Sequence, residues 1–451
     1  MQELKFWLIT DTHYFKKSLG CSGPGYDEFM KGEQKCFAET SAIDAAVIDY
    51  LCEDDLADIV LIAGDLSFNG EKESHEEFSA LLTKLTDSGK KVYVVTAGHD
   101  CSPGPFSFPG TDAKQPVEGV KFDDLLDYYH SFGYDSAIAL NKKHLSYVAQ
   151  LGEGVRLLVL CNDTAEGRAL EYDDEFYTWI EEQCDAAQRD GQMMIAMEHY
   201  PVLAGQPVLQ LIGDARQKGA KRLINTLADR GVHLIFTGHM HNQSINLAYS
   251  DAGNKFYDVC TGSAIGCPAY MRFCTVKDEN TVEIKSIKIP DFEWDTGDKS
   301  CEEYMQSIFD GMIVNYIVGL RDDPAKTLRK VGLKNPSGFV LKIAQKAGSF
   351  LSKCTIGKIC RLLCIRAEPE IKNNSFLELA ANLVRYVFCG DQPYTEDTPE
   401  GKTLLRAFKR FSFLSKKLHG SQGEEIDFYE MMKHSAGNYG ISDYDAVLDL
   451  K

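Results

Sequence analysis

Short apolar runs, each closed by glycine or a polar residue and each separated from the next by a helix-length stretch, set the plan of the first 290 residues. Leu4 to Thr10, Ile59 to Ala63, Val92 to Thr96, Arg156 to Cys161, Met193 to Met197 and His233 to Thr237 are too brief for helices, and their apolar character predicts strands buried on both faces. Between them, Ser41 to Cys52, Asp174 to Asp190 and Ala220 to Asp229 carry helical patterning, the second of them stopped by Gly191. A further helix is predicted where Phe78, Leu81, Leu82 and Leu85 fall at helical spacing, behind a Ser74/Glu77 capping-box pattern and ahead of Gly89. Alternation of this kind predicts an α/β fold. Tyr14 to Lys35, with Gly20, Gly23 and Gly25, reads as a mobile loop at the mouth of a site. Cys101 to about Gln150, with Tyr128, Tyr129, Phe132 and Tyr134, reads as a lid or pocket wall. Residues 300 to 451 have helix-length apolar periodicity broken at Pro324, Pro336, Gly390, Pro393 and Gly420. Two domains are therefore expected, 1–290 and a mainly helical 300–451.

The residues that follow the apolar runs carry the chemistry. Asp11-Thr12-His13 closes the first run, Gly64-Asp65 the second and Ala97-Gly98-His99-Asp100 the third; Glu198-His199-Tyr200-Pro201 and Gly238-His239-Met240-His241 close the last two. Five of the eleven histidines fall in these segments, whereas accidental placement would scatter them. Strand ends of one direction share one edge of a parallel sheet, so these groups converge on one crevice. Residues two apart in an extended chain point the same way, so Asp11 with His13, and His239 with His241, can each face one cation. Asp65, at the mouth of a buried strand, has two oxygens and can bridge two cations. His99 reads as a general acid, its ring oriented by Asp100 or by a backbone group. The X-Pro step at Tyr200-Pro201 holds His199 in a stiff extended segment. His233, inside its strand, reads as a core or edge histidine.

In this order, D-x-H, G-D, G-H-D, H-x-P and G-H-x-H resemble the blocks of the calcineurin-like metallophosphoesterase superfamily over roughly residues 1 to 290. The run Gly-Asp-Leu-Ser-Phe-Asn-Gly-Glu from Gly64, Phe-Gly-Tyr-Asp from Phe132, and Thr261-Gly262-Ser263 are similar to a bacterial branch with a C-terminal helical extension. The resemblance implies a four-layer α/β/β/α sandwich around a dinuclear metal centre. One divalent cation would be held by Asp11, His13, Asp65 and His241, the other by Asp65, His199 and His239, with His99 near the leaving group. Imidazole and carboxylate ligands suit Mn, Fe or Zn. Such a centre hydrolyses phosphate mono- or diesters with a metal-bridging hydroxide, the substrate being a small phosphoester. At one position the chain departs from the pattern: the family's third block has an Asn ligand for the second cation, and this sequence has Gly98. The second cation is therefore expected to be weakly held, with water, substrate, Thr96 or Asp100 filling the gap. A degenerate or single-metal site in a binding or scaffold protein is the alternative. Asn69, where Ser/Thr phosphatases of the superfamily carry Arg, reads as a cap or turn residue.

Composition adds little to this picture. A formal charge of −19 argues against nonspecific nucleic-acid binding, which needs cationic contacts to phosphates. No basic, apolar leader and no membrane-length apolar run is seen, and the fourteen cysteines form no paired C-x-x-C set, so a cytoplasmic protein with reduced thiols is expected. Between Pro324 and Arg366 there are ten Lys or Arg and no acidic residue. That stretch reads first as a solvated basic face complementing the acidic catalytic domain; weak contact with an anionic surface through a helix such as Gly338 to Cys364 is the second reading.

Overall fold

The computed structural model describes residues 2–168, 171–213, 215–330, 337–351 and 353–451. Every strand and helix expected in the first 290 residues is present within a few residues of its expected limits, including strands Leu4–Ile9, Ile59–Ala63 and Lys91–Val95 and helices Thr40–Glu53 and Asp174–Arg189.

These elements build two sheets. A six-stranded sheet runs in the order Ala446–Asp449, Thr281–Lys288, Tyr270–Asp278, Leu4–Ile9, Ile59–Ala63, Lys91–Val95, the last three strands parallel. A seven-stranded sheet runs Ser244–Tyr249, Lys255–Cys260, Leu234–Thr237, Met193–Glu198, Val155–Leu160, Ser146–Gly152, Ala139–Asn141, with a parallel centre and antiparallel flanks.

Alternation along the strands sends neighbouring side chains into different layers. In the second sheet Leu157, Val159, Ile195, Met197, Leu234 and Phe236 join the core shared with the first sheet. Leu158, Leu160, Met194, Ala196 and Ile235 instead lie under helices Asp174–Arg189 and Ala220–Ala228. In the first sheet Phe6 meets Phe236 edge-on at 5.4 Å across the sandwich, while its neighbour Trp7 faces the other way, against Tyr50 of helix Thr40–Glu53 at 5.8 Å. The result is helices, sheet, sheet, helices: the expected four layers.

Beyond Asp291 helices dominate, from Cys301–Asp322, opened by a Ser300/Glu303 capping box, to Phe428–Ala436. Ile356, Ile371, Leu379, Leu404 and Phe408 form a separate small core. The chain then returns to the first sheet, where Ala446–Asp449 pairs antiparallel with Thr281–Lys288. No helix among the described residues is long and apolar enough to cross a membrane.

Four expectations are corrected. The helix expected to start at the Ser74/Glu77 pattern starts at Lys72, and the Ser74 hydroxyl instead accepts from the Lys16 amide at 3.1 Å. Tyr14 to Lys35 contains helix Pro24–Met30, and its Tyr26 and Phe29 pack against Phe15, Phe37, Phe68, Phe106 and Phe108. Of the segment Cys101 to Gln150, Cys101, Ser102 and Pro103 line the cleft over the crevice, whereas Tyr129, Phe132 and Tyr134 are buried in the main core. Gly338 to Cys364 is two helices, Gly338–Leu351 and Ile356–Leu362, the second capped by the Thr355 side chain. Lys334 of the basic stretch lies outside the described residues.

Candidate metal centre

The C-terminal ends of the parallel strands of both sheets face one crevice, and the chain leaves several of them in an unusual conformation. Asp11, His13, Asp65, His239 and His241 all have positive φ, between 42° and 69°. For residues other than glycine this region is sparsely populated and costs about 1 kcal/mol or more each, so surrounding structure must hold it. The turns are stitched to one another: the Asp11 amide donates to Gly64 O at 3.0 Å, the His13 amide to Asp65 O at 2.9 Å and the Gly238 amide to His199 O at 2.9 Å. Gly64 is required beside them, because a Cβ there would lie 2.6 Å from Nδ1 of His199.

The six residues expected as metal ligands come together. Ligand atoms of Asp11, His13 and His241 lie within 4.8 Å of one another, and the same holds for Asp65, His199 and His239, and for His13, Asp65 and His99. His13 Nε2 lies 3.0 Å from His241 Nε2, 3.7 Å from Asp11 Oδ1 and 3.7 Å from Asp65 Oδ2. His241 Nε2 is 3.2 Å from Asp11 Oδ1. The His199 ring donates through Nδ1 to Ala63 O at 2.8 Å, which turns its Nε2 lone pair towards Asp65 Oδ2 at 3.0 Å, without hydrogen-bond geometry. The buried His199 Nε2 facing a carboxylate oxygen in this way is unfavourable unless a proton or a cation lies between them, and imidazole with carboxylate is a donor set that fits divalent ions.

Electrostatics point the same way. Burial opposes ionisation of Asp11 and Asp65, yet the surrounding histidines hold both carboxyls below the usual carboxylate range. For His199 burial is outweighed by Asp65 and Asp11, which push it up to about 9: the crevice draws positive charge to that ring. Burial, then the Lys35 charge, lowers His13 well below its ordinary value.

His99 lies against this group, its ring 4.7 Å from that of His13, and its amide donates to Asp65 Oδ1 at 3.1 Å. Of the two expected ways to orient its ring, the backbone one is realised: Nδ1 meets Phe68 O at 2.6 Å. Asp100 is turned away from the ring. Its carboxylate accepts from the Ser67 and Ala97 amides, both at 2.8 Å, and so ties the Asp65 turn to the His99 turn. Burial and the Asp65 charge push its pKa up to about 8. Of the two side chains expected to fill the Gly98 gap, Asp100 is committed to backbone, and Thr96 Oγ1 lies 3.8 Å from Cys161 Sγ. Asn69 donates to Gly104 O at 2.8 Å as a turn residue, and His233 Nδ1 bonds Lys255 O at 2.8 Å, away from the centre.

Three residues at the centre escaped the sequence reading. The Gln34 amide lies 3.1 Å from His241 Nδ1. Lys35, 7% exposed, holds its ammonium 4.6 Å from the centre of the Phe68 ring, with no carboxylate among the described residues at salt-bridge distance. Tyr200 is buried, with its ring 4.6 Å from that of His239 and 5.0 Å from that of His199. Gln34 and Lys35 sit in a loop with no periodic signal, and Tyr200 was legible only as a neighbour of His199. The cleft over the centre, about 310 Å³, is lined by Asp65, Gly98, His99, Cys101, Ser102, Pro103, Asp163, Gly167, Tyr200 and His239. A cavity of similar size between the Cys267–Tyr270 segment and the C-terminal helices shares none of these residues.

Comparison with solved structures gives remote likenesses. A dimetal phosphatase from Danio rerio is 12% identical, with 63% of this chain and 97% of that one covered and a TM-score of 0.43. A purple acid phosphatase from yellow lupin, Lupinus luteus, is 16% identical over 65% of this chain and 52% of that one, with a TM-score of 0.42. A putative 5′-nucleotidase from Staphylococcus aureus is 11% identical over 69% and 58%, with a TM-score of 0.39. No curated protein matches the sequence. The family model of the calcineurin-like phosphoesterases matches residues 4–243, more than half of the chain, and on that ground the protein belongs to this family: it is a metallophosphoesterase.

Proposed function

We propose that the protein hydrolyses small phosphate mono- or diesters at a dinuclear centre held by Asp11, His13, Asp65 and His241 on one side and by Asp65, His199 and His239 on the other. The observation that supports this reading is the meeting of imidazole and carboxylate groups around Asp65, their ligand atoms within 4.8 Å of one another. Two divalent cations, when bound, supply an activated water and neutralise phosphoryl charge.

The chain's own residues do the rest. The Ala63 and Phe68 carbonyls fix the tautomers of His199 and His99 by accepting from Nδ1–H, leaving each Nε2 for the reaction side. His99 Nε2 is then the atom that carries a proton to the departing oxygen, a role worth about a hundred- to ten-thousand-fold in rate. Asp100 is a positioning residue, holding the turn that presents His99. Lys35 places a positive charge near His13 and His99, suited to an anionic substrate.

The test is to assay a nitrophenyl phosphate monoester and a bis(nitrophenyl) diester in parallel with added Mn, using wild type, Asp65→Asn and His99→Ala. Turnover lost in Asp65→Asn together with bound metal, and lowered at least a hundredfold in His99→Ala with metal retained, is the expected result. Wild-type turnover no greater than that of His99→Ala with any metal would replace this reading with a binding or scaffold role.

A further inference from the structure

Gly98 gives the second cation position no side-chain donor, and the fold does not leave that space empty. A Cβ placed on Gly98 would lie 2.8 Å from the hydroxyl oxygen of Tyr200, closer than real Cβ contacts come. The phenol thus occupies the room that a side chain at position 98 would need, and the two positions exclude each other: a larger residue at 98 cannot coexist with this placement of Tyr200. The ring is 2% exposed, packed against both imidazoles of the Asp65, His199, His239 group, and it lines the cleft beside Asp65 and His99. Its position is fixed twice, by the strand Met193–Glu198 two residues earlier and by Pro201 after it, which confines Tyr200 to extended backbone.

From this we propose that the Tyr200 hydroxyl is the oxygen that the chain offers to the second cation in place of a residue-98 side chain. The assignment rests on the dinuclear reading above. A phenol oxygen is a hard donor of the kind that suits Mn or Fe beside imidazole and carboxylate. The exchange also accounts for glycine at 98, a position whose backbone has no need of it, since its φ, unlike that of Gly64, lies outside the left-handed region.

Titration of metal-free protein with Mn, counting bound equivalents and their affinities by calorimetry and by the electron-spin signal of free Mn, tests the assignment without reference to activity. Wild type is expected to bind two equivalents. Tyr200→Phe keeps the ring on both imidazoles and removes only the oxygen, so the first equivalent stays unchanged and the second weakens by roughly ten- to a hundredfold. Gly98→Asn placed in the Tyr200→Phe protein, where the hydroxyl no longer blocks the new side chain, should recover the second equivalent; Gly98→Asn alone should not improve on wild type. The unchanged first equivalent reports that each variant is folded. A second equivalent in Tyr200→Phe within twofold of wild type would overturn the assignment and leave the dinuclear reading standing. A single equivalent in wild type would overturn both.

Discussion

At the scale of single residues, the identities of the candidate ligands were legible and the reason they meet was not. Asp11 with His13, and His239 with His241, were paired on the argument that alternate residues of an extended chain share a side. Asp11 and His13 do converge, but through backbone in the left-handed region just past the strand end, whereas His239 and His241 part: His241 joins Asp11 and His13, and His239 joins Asp65 and His199. Asp and His tolerate that region better than bulkier or β-branched residues. The same five positions thus answer to two demands, chemistry and backbone. Lys35 was not legible at all, because nothing in Glu33-Gln34-Lys35 marks a return to the crevice. Its near-buried ammonium rests on the Phe68 ring, and no carboxylate among the described residues lies at salt-bridge distance. Replacement by Met preserves the packed stem and removes the charge. The expected outcome is a KM for phosphoester raised about tenfold with bound metal unchanged. A raised melting temperature in the same variant would show that the buried charge carries a cost in the resting protein.

At the scale of elements, apolar runs located strands within one or two residues, because burial on both faces leaves few other ways to place such a run. Helix starts were less legible. Ser74 and Glu77 have the spacing of a cap, yet the preceding chain is captured by a neighbouring segment, the Lys72 amide donating to Glu118 O at 3.0 Å, and the helix begins earlier. That helix also braces the His99 turn. His75 Nε2 donates to Asp100 O at 2.8 Å and Nδ1 accepts from the Tyr129 hydroxyl at 2.6 Å. Burial draws the His75 pKa from 6.5 down to about 4. Below about pH 6.5 the unfolded chain therefore binds a proton that the folded one refuses. This contribution is fully present above that pH and lost progressively as pH falls towards 4. A shift of that size corresponds to roughly 3 kcal/mol. His75→Phe lacks both hydrogen bonds and should be less stable than wild type at pH 7.5, but the gap should shrink at pH 5. Urea midpoints of the two proteins at both values measure it, and a gap independent of pH would refute the linkage.

On the scale of the whole molecule, the layer order was legible from the family resemblance, while the way the helical region is fastened was not. The fastening depends on contacts between residues far apart in number. Arg272 is fully buried and donates to Cys260 O at 3.0 Å in one sheet and to Asp443 O and Tyr444 O, at 2.8 and 2.9 Å, near the end of the chain. Its guanidinium is satisfied by carbonyl and hydroxyl oxygens, and burial lowers its pKa to about 10. Arg272→Met would leave several buried acceptors bare, each worth about 1–3 kcal/mol. Limited proteolysis should then release the segment after Asp291 at temperatures where wild type resists, and a melting temperature unchanged from wild type would show that other contacts suffice.

The division of the second sheet's side chains between two layers bears on how such a chain can vary in length. Because odd and even positions of Met193–Glu198 serve different cores, losing one residue there would swap both sets at once and rotate His199 out of the crevice. Insertions and deletions among homologues should accordingly be absent from the residues just before the crevice and gather in the connections at the far edge of the sandwich, where nothing downstream depends on parity.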